Sequence, residues 1–125
     1  MKVITHFDQK NRIRLHTVSG DITKELLLTE LKGIYSNPDL ESDVDVLWDL
    51  RAGDMSSFSS ADVSEVRELV SHHWGQTGST RAAIVVSRDI NFGLSKMYAS
   101  LLEEKISGKV MVFRKYEDAL EWLKS

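Results

Sequence analysis

Cysteine is absent from this sequence. That excludes a disulfide framework and thiolate-bound metal, and it agrees with a reducing compartment. Proline occurs once, at Pro38, and no repeat, low-complexity tract or linker interrupts the chain. Long hydrophobic runs are missing too. The longest are four or five residues, such as Ala82 to Val86, far short of a membrane-spanning helix. The opening residues, Met1 to His6, lack the apolar core of a secretion signal. No charge of one sign dominates. The net charge is −3 with both signs spread along the chain, so the basic footprint of a nucleic-acid binder is absent. The expected address is the cytoplasm, and neither nucleic acid nor a cofactor is expected as a partner.

What is present suits one globular domain over residues 1–125. Hydrophobic residues make up 42% and charged residues 28%, an ordinary balance. A chain of this length buries roughly two thirds of its unfolded surface, so its core needs no staple.

Val3, Ile4 and Phe7 mark a first strand, and Asp8 to Asn11 a polar turn. Arg12 to Val18 then alternates, with Ile13, Leu15 and Thr17 on one face and Arg12, Arg14 and His16 on the other. This period of two predicts a half-exposed strand, and the short turn an antiparallel hairpin ended by Ser19-Gly20-Asp21. Thr23 is a candidate N-cap for a helix to about Ser36 with Leu27, Leu31, Ile34 and Tyr35 on its buried stripe. Asn37-Pro38-Asp39 breaks it. Val44 to Leu50 reads as a third strand and Arg51 to Ser57 as a polar loop. Ser59 or Ser60 caps a second helix, in which Val63, Val66, Val70 and Trp74 share a face, and Gly75 and Gly78 bracket its end. Arg81 to Val86 is the near-continuous apolar run of a strand covered on both faces. A third helix starts near Asp89 or Asn91 and carries Leu94, Met97, Tyr98 and Leu101. Val110 to Phe113 closes the sheet, and Tyr116, Ala119, Leu120 and Leu123 repeat at helical spacing after it.

The order ββαβαβαβα predicts an α/β fold. It has a five-stranded mixed, mostly parallel sheet with an N-terminal antiparallel hairpin, right-handed crossovers and four helices.

Four pieces of this order resemble the SpoIIAA-like proteins of the STAS/SEC14-type superfamily. They are Gly20-Asp-Ile-Thr23 leading into a helix, Val46-Leu-Trp-Asp-Leu50, Arg81-Ala-Ala-Ile-Val-Val86, and Val112-Phe113 followed by Glu117-Asp-Ala-Leu-Glu-Trp-Leu123. The resemblance implies the same fold and two kinds of activity. In STAS proteins a serine following the Asp-Leu strand is phosphorylated, and this releases a protein partner. The corresponding candidates here are Ser57 and Ser59, although Met55 to Asp62 lacks the Asp before the serine pair and the Gly after it. SEC14-type relatives hold a lipid in an apolar pocket.

Read as chemistry, the serines Ser56, Ser57, Ser59 and Ser60 precede a helix, where one serves as a cap and a phosphate would meet the positive helix end. Asp49, Arg51 and Arg88 follow strands whose carboxyl ends rim the usual ligand crevice of open α/β sheets, and they are the candidate ligand- or anion-binding residues. His72 and His73 are adjacent and so cannot chelate one metal from one helix face. Across the hairpin, His6 and His16 would supply two ligands at most. No metal site is expected. A glycine-rich phosphate loop, a nucleophile elbow and an HExxH motif are all missing, so no catalytic residue is assigned.

The leading expectation is a small non-enzymatic regulatory or protein-interaction module, with another protein or a second copy as partner. A small-ligand or lipid-binding domain is the first alternative, and it predicts a cavity lined by Phe58, Phe92, Leu94 and Met97. An enzyme using Asp49, Arg51 and Arg88 is the second.

Overall fold

The computed structural model describes residues 1–77 and 81–125. Gly78, expected at the end of the second helix, lies outside them.

The strands are β1 (Lys2–Asp8), β2 (Ile13–Asp21), β3 (Asp45–Asp54), β4 (Arg81–Val85) and β5 (Lys109–Phe113). The helices are α1 (Lys24–Ser36), α2 (Ser60–Thr77), α3 (Asp89–Glu103) and α4 (Tyr116–Lys124). The sheet order is β1-β2-β3-β4-β5, antiparallel between β1 and β2 and parallel thereafter. This is the predicted α/β architecture.

Each parallel crossover steps in the same direction along the sheet. Right-handed connections then deliver α1, α2 and α3 to one face. There Val18, Ile84 and Val110 from the strands meet Leu31 of α1, Val63, Val66 and Val70 of α2, and Ala99 and Leu102 of α3. The other face carries a smaller core, in which Ile13, Leu47, Ala83 and Val85 pack against Ala119 and Leu123 of α4.

Two expectations at the sheet need correction. β2 and β3 both run past their predicted ends. After a register shift between Thr17 and Ser19, Ser19, Gly20 and Asp21 pair with Ala52, Gly53 and Asp54. Ladder hydrogen bonds therefore override the turn-forming composition of both segments, and Gly20 within the added stretch of β2 has a φ of +84°, a conformation that glycine adopts without strain. The second correction concerns exposure. In the strand expected to be half-exposed, the polar Arg14 and His16 are only 4% and 1% exposed, while Thr17 on the opposite face is exposed. β2 lies inside the sheet, and the face bearing Arg14 and His16 is the one roofed by α1.

The extended end of β3 is clamped by a buried side chain. Asn91, in the first turn of α3, donates from Nδ2 to the Gly53 carbonyl at 3.0 Å and accepts from the Met55 N–H at 3.0 Å. Asn91 is fully buried. Asn91→Ala strands one buried donor and one buried acceptor, and is expected to cost about 2–4 kcal/mol in urea unfolding. A loss below 0.5 kcal/mol on that scale would show that the clamp is dispensable.

Candidate functional site

At the carboxyl ends of the strands, the sequence-predicted charges are present but divided. Arg51 donates from Nε and Nη2 to the two Asp49 oxygens at 2.9 and 2.8 Å, and its backbone N–H reaches Oδ1 at 3.1 Å. Burial pushes the Asp49 carboxyl up, but the hydrogen bonds and charge of Arg51 outweigh it and hold the group below its ordinary value. The Arg51 guanidinium also lies over the Tyr116 ring at 5.0 Å, on the α4 side of the sheet. Arg88 is engaged separately, with Asp54 at 3.0 Å. Arg114 pairs with Asp89 at 2.9 Å and covers the Phe92 ring. Asp49 and Arg51 thus form one closed ion pair, and Arg88 belongs to another. A doubly bonded carboxylate of this kind orders a chain segment and is poorly placed to accept a proton.

The serines are placed as follows. Ser59 and Asp62 form a reciprocal capping box at the start of α2: the Asp62 N–H donates to Ser59 Oγ at 3.1 Å, and the Ser59 N–H to Asp62 Oδ2 at 3.0 Å. Of the two expected caps, Ser59 is the one used. Ser57 Oγ donates to the Ile22 carbonyl at 3.4 Å, and the Ser56 N–H to Asp54 Oδ1 at 2.9 Å.

The densest buried polar chemistry lies elsewhere, at residues not singled out as a site. Between the sheet and α1–α3 is an apolar cavity of about 100 Å³. Valines of the strands and α2, such as Val18, Val63, Val66 and Val70, line it together with Phe58 and Trp48, and Ala82 opens onto it from β4. Of the four residues expected to line such a cavity only Phe58 does so. Phe92, Leu94 and Met97 pack against the core outside it.

Arg14 and His16 close one end of this cavity. They also line a second, polar groove of about 360 Å³ on the outer surface, with Thr5, Glu30, Asp39 and Glu41. The His16 ring stacks on Trp48 with 4.2 Å between centroids. Arg14 Nε donates to His16 Nε2 at 3.3 Å. An arginine only donates, so Nε2 must carry a lone pair, and the Nδ1–H is left for Thr5 Oγ1 at 2.8 Å. Protonating His16 would set two donors against each other inside the core. Burial first, and the Arg14 charge second, accordingly lower the His16 value from 6.5 to about 3. Nearby, burial raises Tyr35 to about 12 and pushes Tyr98 up as well.

The histidines are placed as follows. His6 lies opposite Leu15, and Thr5 lies opposite His16, so the two histidines occupy opposite faces of the hairpin. His73 stacks on Tyr35 at 4.6 Å, with His72 edge-on to it. Among the described residues no three His, Asp or Glu side chains come together as metal ligands, and no helix is long and apolar enough to cross a membrane.

A signal for the buried pair was present in the sequence: Arg14 and His16 are flanked by Ile13, Leu15 and Val18. An interior strand can bury its polar alternating set as well as its apolar one. Only the roof of α1 over β2 shows which set that is here.

A mixed five-stranded sheet with three helices on one face and one on the other, in the order ββαβαβαβα, is a SpoIIAA-like fold. The chain is similar to a solved protein of the DUF3478 family with a SpoIIAA-like fold, an uncharacterized protein from Shewanella loihica PV-4. The two are 17% identical, the match covers 98% of this chain and 92% of that one, and the TM-score is 0.60. No family model and no curated protein matches the sequence. The likeness establishes the fold.

His16 generates a pH prediction. Its unfolded value is near 6.5 and its folded value about 3, so below pH 6.5 the unfolded chain binds the extra proton. The stability contributed by neutral His16 is complete above that pH and is lost as pH falls toward 3, at up to about 1.4 kcal/mol per pH unit. Urea unfolding of wild type and His16→Gln between pH 6.5 and 5 checks this. The variant is expected to lose most of the slope, and an equal slope in both would remove His16 as its source.

Proposed function

We propose that this chain is a non-catalytic, STAS-like binding module of the cytoplasm that holds a small apolar molecule between its sheet and α1–α3. The observation that carries this reading is the apolar cavity of about 100 Å³ inside an otherwise packed core. Native interiors leave few voids larger than a water molecule, and a lining this apolar offers water too few partners. An unfilled space of this size costs stability unless something occupies it. The closed Asp49–Arg51 pair and the separate Arg88–Asp54 pair weigh against the enzymatic alternative.

Size limits the cargo. Drug-sized pockets are roughly 300–1,000 Å³, and a dry cavity of about 150 Å³ takes one benzene molecule. This cavity suits a short alkyl chain. Burying four or five methylene groups at about 0.8 kcal/mol each gives a Kd on the order of 1 mM. Titration of the protein with hexan-1-ol, followed by methyl NMR, is expected to shift cavity methyls such as Val66, Val70 and Ile84. Ala82→Leu, which places three more carbons in the cavity, is expected to abolish those shifts. Shifts that survive this substitution, or that fall only on surface methyls, count against the reading.

A second reading, a protein-interaction module whose partner is another copy of itself, is favoured by the edge strand β1. Two β1 strands paired antiparallel about Thr5 set Lys2 opposite the partner's Asp8 and Ile4 opposite the partner's His6. Ile4 is 55% exposed on that edge, and the arrangement makes two symmetric ion pairs. Light scattering on a sizing column tests it. Lys2→Asp is expected to yield monomer, and the Lys2→Asp/Asp8→Lys double variant to restore the dimer. A monomeric wild type at high concentration would end this reading.

A further inference from the structure

The cavity and the outer groove share Arg14, His16 and Ile34. A molecule whose apolar body fills the cavity therefore has its other end beside the Arg14 guanidinium. The state of that guanidinium defines what the end should be. Arg14 is 4% exposed, and an arginine retains its charge under any ordinary condition. Buried charges require a close partner. Arg14 meets the neutral His16 Nε2 at 3.3 Å, the Glu41 carbonyl at 3.3 Å and the Glu41 carboxylate at 3.5 Å, with Tyr35 also close by. Charge-assisted bonds between guanidinium and carboxylate normally close to about 2.7–2.9 Å and are often two-pronged. Glu41 reaches in from the loop between α1 and β3 and is itself 35% exposed, so it stays hydrated while Arg14 does not.

We propose that the module binds a short amphipathic monocarboxylate, its alkyl body in the cavity and its carboxylate on Arg14 in place of Glu41. This rests on the cavity reading above and names the chemical class of the cargo. A single negative charge matches the single buried guanidinium. A phosphate dianion would leave one charge unbalanced and would face Glu30, Asp39 and Glu41 at the groove. His16 assists by staying neutral: its Nε2 accepts from Arg14 Nε, which orients the guanidinium and leaves the Nη groups to grip the ligand. Displaced Glu41 moves into water at little cost because it is already partly hydrated.

The test compares hexanoate with hexan-1-ol, which share a chain and differ in charge. Calorimetric or NMR titration of the wild-type protein is expected to show hexanoate binding at least about tenfold tighter than hexan-1-ol. Arg14→Gln is expected to erase that preference, so that hexanoate binds no tighter than hexan-1-ol. Glu41→Gln, a substitution at the partly exposed loop, removes the competing carboxylate. It is expected to tighten hexanoate severalfold without affecting hexan-1-ol, and it keeps the proposal falsifiable if Arg14→Gln does not fold. Equal binding of the two probes to wild type overturns the carboxylate assignment and leaves the cavity reading standing, as does weaker hexanoate binding in Glu41→Gln. Failure of both probes to bind overturns the cavity reading and this inference together.

Discussion

Handedness is the constraint on which this structure depends. Three consecutive parallel crossovers step the same way along the sheet, and each must be right-handed, so α1, α2 and α3 share one face. The opposite face receives only α4, nine residues long. The result is an uneven molecule. One side holds a thick apolar layer with space inside it. On the other, α4 packs on β3, β4 and β5, and Ile4 and Thr17 on β1 and β2 stay in water.

That asymmetry sets the meaning of the polar residues. Arg14 and His16 lie on the thick side and are drawn into the core, where charge and protonation become expensive and specific. Asp49 and Arg51 lie on the thin side and satisfy one another. At the wall between an apolar cavity and an open groove, a buried arginine sits beside a histidine held neutral by burial and by that arginine's charge.

Much of the architecture was legible. The hairpin followed from a polar turn between two short apolar runs, and the parallel strands from the regular exchange of period two and period 3.6. The run Arg81 to Val86 disclosed a strand covered on both faces. Other features were hidden for identifiable reasons. Arg51 to Asp54 is polar with a glycine, the composition of a loop, and becomes strand only because Ser19 to Asp21 lies alongside to pair with it. The cavity was expected at Phe58, Phe92, Leu94 and Met97, but three of those four side chains pack outside it, since where helix side chains meet depends on how the helices seat on the sheet. The burial of the Arg14–His16 pair was hidden because alternation reports two faces without saying which one is covered.

The sequence by itself determined the order and type of the elements, the sheet's mixed character and a serine cap at Ser59 or Ser60, because each is encoded by neighbours within a few residues. The burial of Arg14 and His16, the pairing of Arg51 with Asp49 and of Arg88 with Asp54, the Asn91 clamp and the cavity were decided only in three dimensions. Each joins groups from different elements or depends on what covers a face. No local pattern records which helix roofs which strand, and here that roof turns two polar strand residues into a buried, hydrogen-bonded pair.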